Sequence, residues 1–285
     1  MLAQGLPVPA NRDAARRMTQ AIGSRGAVPA ITAVAAGVPT VGLEGEDLER
    51  FLRRDGVRKV SARDIAVAMT QQADGATTVA ATLALARAVG MEVFATGGIG
   101  GVHRDAPFDE SADLMELARS PMVVVCAGAK AILDLPATWE RLETLGIPVI
   151  GYRTDQLPGF FTAETGIQLT ARAETSREIA SVYRAHRALG RPQAVLVVQP
   201  PPAEHALPVE HVHTAVEEAL AQASSAGVRG AAVTPFLLGA VDRLTNGGSL
   251  EANLSLLETN AALAAEIACA LCESAASGYE RLQEV

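Results

Sequence analysis

Along this chain, stretches whose apolar residues recur every three to four positions alternate with short unbroken apolar runs, and that alternation predicts a succession of helices and strands. The pattern predicts a helix over residues 11–23 opened by an Asn11 cap, then a strand over 27–34 that turns at Gly37. Helices follow over 61–72, with a Ser61 cap, and over 77–89, stopped by Gly90. A strand over 92–95 runs into a glycine-rich segment, and a helix starts near Ser111. Next come a strand over 122–126, a helix over 136–146 and a strand over 147–150. A helix over 176–189, a strand over 194–198, a helix over 209–226 and a last helix from about Leu250 complete the series. Strands separated by helices are the pattern of an α/β protein with a largely parallel sheet. Neither an internal repeat nor a linker breaks the pattern, so a single domain over 1–285 is expected.

Composition narrows the partners. With 49% hydrophobic and 20% charged residues, the 285-residue chain can bury a large core. A formal charge of −8 leaves no basic face for nucleic acid or for an anionic membrane surface. The start, Met1-Leu-Ala-Gln-Gly-Leu-Pro7, lacks the basic end and long apolar core of a signal peptide, and no run of apolar residues suggests a membrane span. A cytoplasmic protein acting on a small molecule is the expectation. Three cysteines make no disulfide framework, and the Cys269/Cys272 pair in an apolar helical stretch reads as packing, as does Cys126 in its strand.

Candidate chemistry begins with lysine. Of 24 Lys and Arg residues only Lys59 and Lys130 are lysines, and Lys130 ends the apolar run Met122-Val-Val-Val-Cys-Ala-Gly-Ala129. Guanidinium stays charged, whereas a desolvated lysine can lose its proton and form a Schiff base with a carbonyl. The alternatives are coding bias toward arginine, or an amine that snorkels from a strand end. A second signal is Thr96-Gly-Gly-Ile-Gly-Gly-Val-His-Arg104. Glycines directly after a strand let backbone N–H groups approach an anion, with Thr96, His103 or Arg104 completing the cradle; the alternative is a turn or tight backbone packing. The spacing fits neither the dinucleotide nor the P-loop motif. In Phe108-Asp-Glu-Ser-Ala-Asp-Leu114, Ser111 can cap a helix, with Asp109 and Asp113 on either side. Carboxylates beside a phosphate call for a cation, and hard oxygen ligands favour Mg²⁺ or Mn²⁺; the alternative is that both simply favour the helix dipole.

Taken together, these segments resemble the pseudouridine-5′-phosphate glycosidase family, also called indigoidine synthase A-like. The likeness runs collinearly from Gly5-Leu-Pro-Val-Pro9 through Gly26-Ala-Val-Pro-Ala30, Lys59-Val-Ser-Ala-Arg-Asp64, Asp74-Gly-Ala-Thr-Thr-Val-Ala80 and the glycine-rich segment. It continues through Val125-Cys-Ala-Gly-Ala-Lys130, Thr234-Pro-Phe-Leu-Leu238 and Asn260-Ala261. The resemblance implies a three-layer α/β/α fold with a mixed, largely parallel central sheet. It also implies a homotrimer with Mn²⁺ or another divalent cation, and reversible cleavage of pseudouridine 5′-phosphate to uracil and ribose 5-phosphate. By the same resemblance Lys130 is the nucleophile that forms a covalent, ring-opened sugar adduct, and Asp109 is the metal ligand. Lys59, Val79, Thr96, His103, Ser111, Ala112, Asp113 and Asn260 are implied to bind substrate.

The chain also departs from the family. A strand ending in Glu-Ser-Thr, whose Glu donates a proton, precedes the family's first turn; here Met1 lies too close to Gly5 for the chain as written to contain it. A positioned donor contributes roughly 10²–10⁴-fold in rate. Gln4 replaces His, Gln199-Pro-Pro-Pro202 replaces Asn-Pro-x-Pro, Ala231-Ala232 replaces Lys-Glu, and Glu110 replaces an apolar residue. Three readings follow: a glycosidase whose start lies further upstream, a C-glycosynthase that joins ribose 5-phosphate to another aglycone, or a non-catalytic phosphosugar-binding protein.

Overall fold

The computed structural model describes residues 5–104, 108–229 and 232–273. Its first part contains α1 (Ala10–Gly23), β1 (Thr32–Ala35), β2 (Val38–Val41), α2 (Gly45–Arg53) and β3 (Arg58–Val60). A 3₁₀ turn (Ala62–Asp64), α3 (Ile65–Thr70), β4 (Gly75–Thr77) and α4 (Val79–Ala88) follow. The remainder comprises β5 (Val93–Ala95), α5 (Ala112–Leu117), β6 (Val123–Cys126), α6 (Leu135–Thr144), β7 (Val149–Tyr152) and β8 (Arg172–Ala173). It ends with α7 (Ser176–Ala188), β9 (Val195–Val198), α8 (Val209–Ser225), α9 (Val233–Leu244) and α10 (Gly248–Glu273).

The strands divide between two sheets. One is wholly parallel in the order β5-β6-β9-β7-β8; the other, β2-β1-β4-β3, pairs β1 antiparallel with both neighbours and β3 parallel with β4. The parallel sheet is the middle of three layers. Alternate side chains of β6 and β9 point to opposite faces: Val124 and Leu196 join a core with Leu83, Leu114, Leu117 and Leu142, while Val123, Val125, Val195 and Val197 pack with Ile179, Tyr183, Leu263 and Ile267. Helices on both faces explain why these strands read as continuous apolar runs. The mixed pairing expected of the central sheet is confined to the smaller one.

Local differences from the sequence pattern have physical causes. Asn11 lies inside α1 rather than at its cap, buried, with its amide donating to the Leu52 carbonyl at 2.8 Å. The first strand begins only at Thr32, because residues 27–31 leave the sheet and line a cavity. The Ser61 cap does form, as a capping box with Asp64. Of the cysteines, Cys126 is buried, and burial pushes its thiol up to about 12. The packing expected of the other two does not hold fully, since Cys269 is half-buried with its sulfur 3.3 Å from the Arg25 carbonyl and Cys272 is exposed. Among the described residues, α10 alone is long and apolar enough to cross a membrane, with mean hydropathy 1.4, yet 67% of that window is buried against its own fold. It packs on α1, α7, β5 and β6, so its apolar composition reflects a core helix.

Candidate active site

The loops that follow β5 and β6 are tied together, and this places Lys130. The Ala127 N–H donates to the Gly97 carbonyl, Ile99 N–H to Gly128, and Lys130 N–H to Ile99, at 2.8, 3.1 and 3.1 Å. Glycine is required in both loops. Gly128 has φ +87°, and a Cβ there would lie 2.2 Å from the Pro158 carbonyl oxygen. A Cβ on Gly100 would fall 2.2 Å from Ser111 Oγ, and one on Gly101 would fall 2.3 Å from Thr138 Oγ1. Several loop N–H groups are already taken: Gly100 donates to Asp113 and Val102 to Thr138 Oγ1. Close packing around the loop, more than an open anion cradle, therefore accounts for these glycines.

Asp113 is the electrostatic partner of the lysine. It is 5% exposed; one carboxylate oxygen accepts from Gly100 N–H and the other from Ala80 N–H in the first turn of α4, both at 2.8 Å. Neighbouring Ser111 caps α5 by accepting from Asp113 N–H at 3.2 Å. Burial lowers the pKa of the Lys130 ammonium, the Asp113 carboxylate opposes that shift and the Lys59 charge adds to it. Lys59 arrives from the other sheet, on β3 beside Ala76 of β4, so the two lysines face a cavity of about 910 Å³ between the sheets. An amine whose pKa is lowered by burial, a second lysine and a roomy cleft suit a nucleophile acting on an anionic carbonyl compound.

The cavity gathers nearly all the residues read from sequence. Lys59, Lys130, Val79, Thr96 and His103 line it, as do Asp109, Ser111, Ala112 and Asp113. Val79 opens α4 just after its Thr78 cap. Asn260 does not line the cavity: fully buried, it donates to the Thr96 carbonyl at 2.8 Å and accepts from Gln199 Nε2 at 2.9 Å, bracing the glycine loop from beneath. The Gln199 substitution thus supports that brace. Glu110 is held by Arg141 at 2.8 Å, and both Asp113 oxygens are occupied, so Asp109 is the carboxylate of this segment left without a partner among the described residues. The described residues contain no group of three or more His, Cys, Asp or Glu able to hold a metal. The donor set fits a water-rich divalent ion on one carboxylate, and does not fit a closed structural site. Gln4 and Ala231 lie outside the described residues. Arg104, read as completing an anion cradle, instead donates to the Leu133 carbonyl at 3.2 Å just past Lys130. Sequence reading did not single out Asn253 and Phe160, which also line the cavity. An asparagine in an otherwise apolar helical stretch was the available signal for Asn253.

A lysine desolvated at the end of a parallel strand, facing a second lysine across a cleft in an α/β fold, is an arrangement suited to chemistry through an amine adduct. This chain belongs to the indigoidine synthase A-like family, whose profile, described as "Indigoidine synthase A like protein", matches residues 1–270. It is 66% identical over 273 residues to a pseudouridine-5′-phosphate glycosidase of Gemmatimonas aurantiaca, covering 96% of this chain and 89% of that protein. It is 50% identical over 276 residues to one from Herpetosiphon aurantiacus, covering 96% and 91%. Among solved structures, the prealnumycin C-glycosynthase in complex with ribulose 5-phosphate superposes with TM-score 0.88 at 40% identity, over 93% of this chain and 88% of that one. An indigoidine synthase A-like protein from Thermotoga maritima superposes with TM-score 0.88 at 37% identity, over 94% and 89%.

Proposed function

We propose that this protein cleaves, and can re-form, the C–C glycosidic bond of pseudouridine 5′-phosphate, with uracil and ribose 5-phosphate as products. The observation that carries this reading is the Lys130 amine, its pKa lowered by burial, at the mouth of a cavity with a second lysine opposite. The 66% identity to a glycosidase of that name supports it. In the reaction, the Lys130 nitrogen bonds to C1′ as the C1′–O4′ bond opens and O4′ takes a proton. The nitrogen lone pair then forms C1′=N while the C1′–C5 bond breaks, its electron pair passing to the pyrimidine and C5 taking a proton. Water hydrolyses the imine, releasing ribose 5-phosphate and the free amine. Lys59 supplies a fixed positive charge for the phosphosugar, and Asp113 restrains the pKa of Lys130 while holding the glycine loop to α4.

The Asp109 carboxylate is the group that would hold Mn²⁺ or another divalent cation, whose chemistry here is to offset negative charge on substrate oxygens. We also propose that the chain acts as a homotrimer in the cytoplasm. Val38 on β2 and Val67 and Met69 on the adjoining α3 are exposed at 61%, 50% and 41%, an apolar surface that a second copy would cover. A molar mass from light scattering tests the trimer. The activity is tested by incubating the protein with pseudouridine 5′-phosphate and following uracil and ribose 5-phosphate by chromatography, then running the condensation from those products. Turnover in both directions supports the reading. Binding of ribose 5-phosphate with condensation onto another carbon acid, and none onto uracil, would transfer the assignment to a C-glycosynthase, the activity named for the 40%-identical structural relative.

A further inference from the structure

His103 and Arg104 are chain neighbours that serve different spaces. His103 lines the reaction cavity, whereas Arg104 lines a separate outer cavity of about 490 Å³ together with Asp134, Thr165, Ile167 and His213. Arg104 is thus placed to act on the backbone around the site and not on a substrate inside it.

The backbone it meets is the turn that begins at Lys130. Ala131, Ile132 and Leu133 are 5%, 2% and 2% exposed, yet they belong to no helix or strand. Buried backbone outside regular structure must find its hydrogen-bond partners group by group. The Lys130 N–H donates to the Ile99 carbonyl at 3.1 Å, the Lys130 carbonyl accepts from Leu133 N–H at 3.0 Å, and Asp134 N–H donates to the Val102 carbonyl at 3.0 Å. The Ala131 and Leu133 carbonyls turn to Arg104: Nε donates to Leu133 at 3.2 Å and Nη2 to Ala131 at a longer 3.5 Å. One planar guanidinium therefore spans the turn, and its fixed fork of donors is suited to two acceptors at once. Upstream, Lys130 is held by Ile99; downstream, by a side chain from the far end of the same glycine segment.

We propose that Arg104 is a positioning residue for Lys130: by tying down the two carbonyls that follow it, the guanidinium fixes the peptide planes from which the amine is aimed into the cavity. The proposal rests on the reading of Lys130 as the nucleophile, and it adds what holds that nucleophile in place from outside the site. An amine displaced by about 1 Å from its line of attack loses on the order of 10²-fold in rate with its substrate still bound.

The rate of borohydride-trapped ribose 5-phosphate addition is measured on the native protein, on Arg104→Ala and on Arg104→Lys, at a temperature where circular dichroism shows all three folded. Ribose 5-phosphate affinity is measured by equilibrium dialysis with Lys130→Ala present, with and without the Arg104 substitution. The geometry predicts that Arg104→Ala slows trapping by about 10–100-fold while affinity changes by less than about twofold. Arg104→Lys, which keeps the charge and loses the fork, retains most of the defect. Because Arg104 lines an outer cavity, millimolar guanidinium chloride should reach the space vacated in Arg104→Ala and recover at least about fivefold of the rate, with no gain in the native protein and none from sodium chloride. Should Arg104→Ala not fold, the Lys variant and its affinity carry the comparison. Trapping within twofold of native in a folded variant overturns the proposal, as does an affinity loss that matches the loss of rate, which would make Arg104 a substrate contact. Absence of any adduct on Lys130 in the native protein is a different failure, that of the nucleophile reading itself.

Discussion

Replacing Asp113 with Asn separates the two tasks assigned to this carboxylate. The side chain keeps its shape, but only one of its two atoms can still accept, so either Gly100 N–H or Ala80 N–H now faces an NH₂ group. A hydrogen bond to a charged acceptor contributes about 1.5–3 kcal/mol, and a buried donor left unpaired adds about 1–3 kcal/mol. Single substitutions seldom exceed about 4 kcal/mol, so a loss of about 2–4 kcal/mol is expected. For a chain of this length that lowers the melting temperature by roughly 4–8 °C. The second effect is on Lys130. Asp113 raises the amine's pKa against burial, so removing its charge lets that pKa fall further. The acid limb of the rate profile, where activity rises as the amine loses its proton, should therefore move to lower pH. Differential scanning fluorimetry and the pH dependence of borohydride trapping measure the two. An unchanged melting temperature refutes the bridging role, and an acid limb that stays put or moves upward refutes the electrostatic one.

Three further outcomes are expected. Asp109→Ala should lower Mn²⁺ affinity by at least about tenfold with little change in melting temperature in metal-free buffer; a large fall in that buffer with unchanged affinity would make Asp109 a structural residue. Gly100→Ala should destabilise by about 1–3 kcal/mol and remove sugar labelling, because its Cβ would press on Ser111 Oγ and Asp113 Oδ2 at 2.2 and 2.9 Å. Lys130→Met should abolish labelling yet raise the melting temperature near neutral pH. The folded pKa of Lys130 lies below its unfolded value, so its unfavourable contribution is complete below the folded pKa and fades as pH rises toward 10.5; denaturant titrations across that range should show the variant's advantage shrinking.

The parallel sheet was legible because its strands are buried on both faces, which leaves unbroken apolar runs such as 122–126 bounded by glycine or proline. The smaller sheet was not. Its β3 and β4 have three residues each, and β3 carries exposed Arg58 and Lys59, so periodicity has nothing to register. Helix α9 was likewise not foreseen; its Pro235 lies in the first turn, where proline is tolerated. At the site, Lys130 stood out by residue type alone, and Ser111 and Asp113 by the cap they form. The packing of the glycines against the Ser111 and Thr138 side chains and the Pro158 carbonyl depends on elements distant in sequence, and the place of Asn253 in the cavity wall depends on the loop folded against it.

The central claim is that Lys130 is the amine that forms the sugar adduct. Borohydride reduction of the protein in the presence of ribose 5-phosphate, followed by peptide mass mapping, tests it most directly. The account predicts a reduced pentose-phosphate adduct on the peptide containing Lys130, lost in Lys130→Met. An adduct on Lys59 alone, or no adduct while ribose 5-phosphate demonstrably binds, would contradict it.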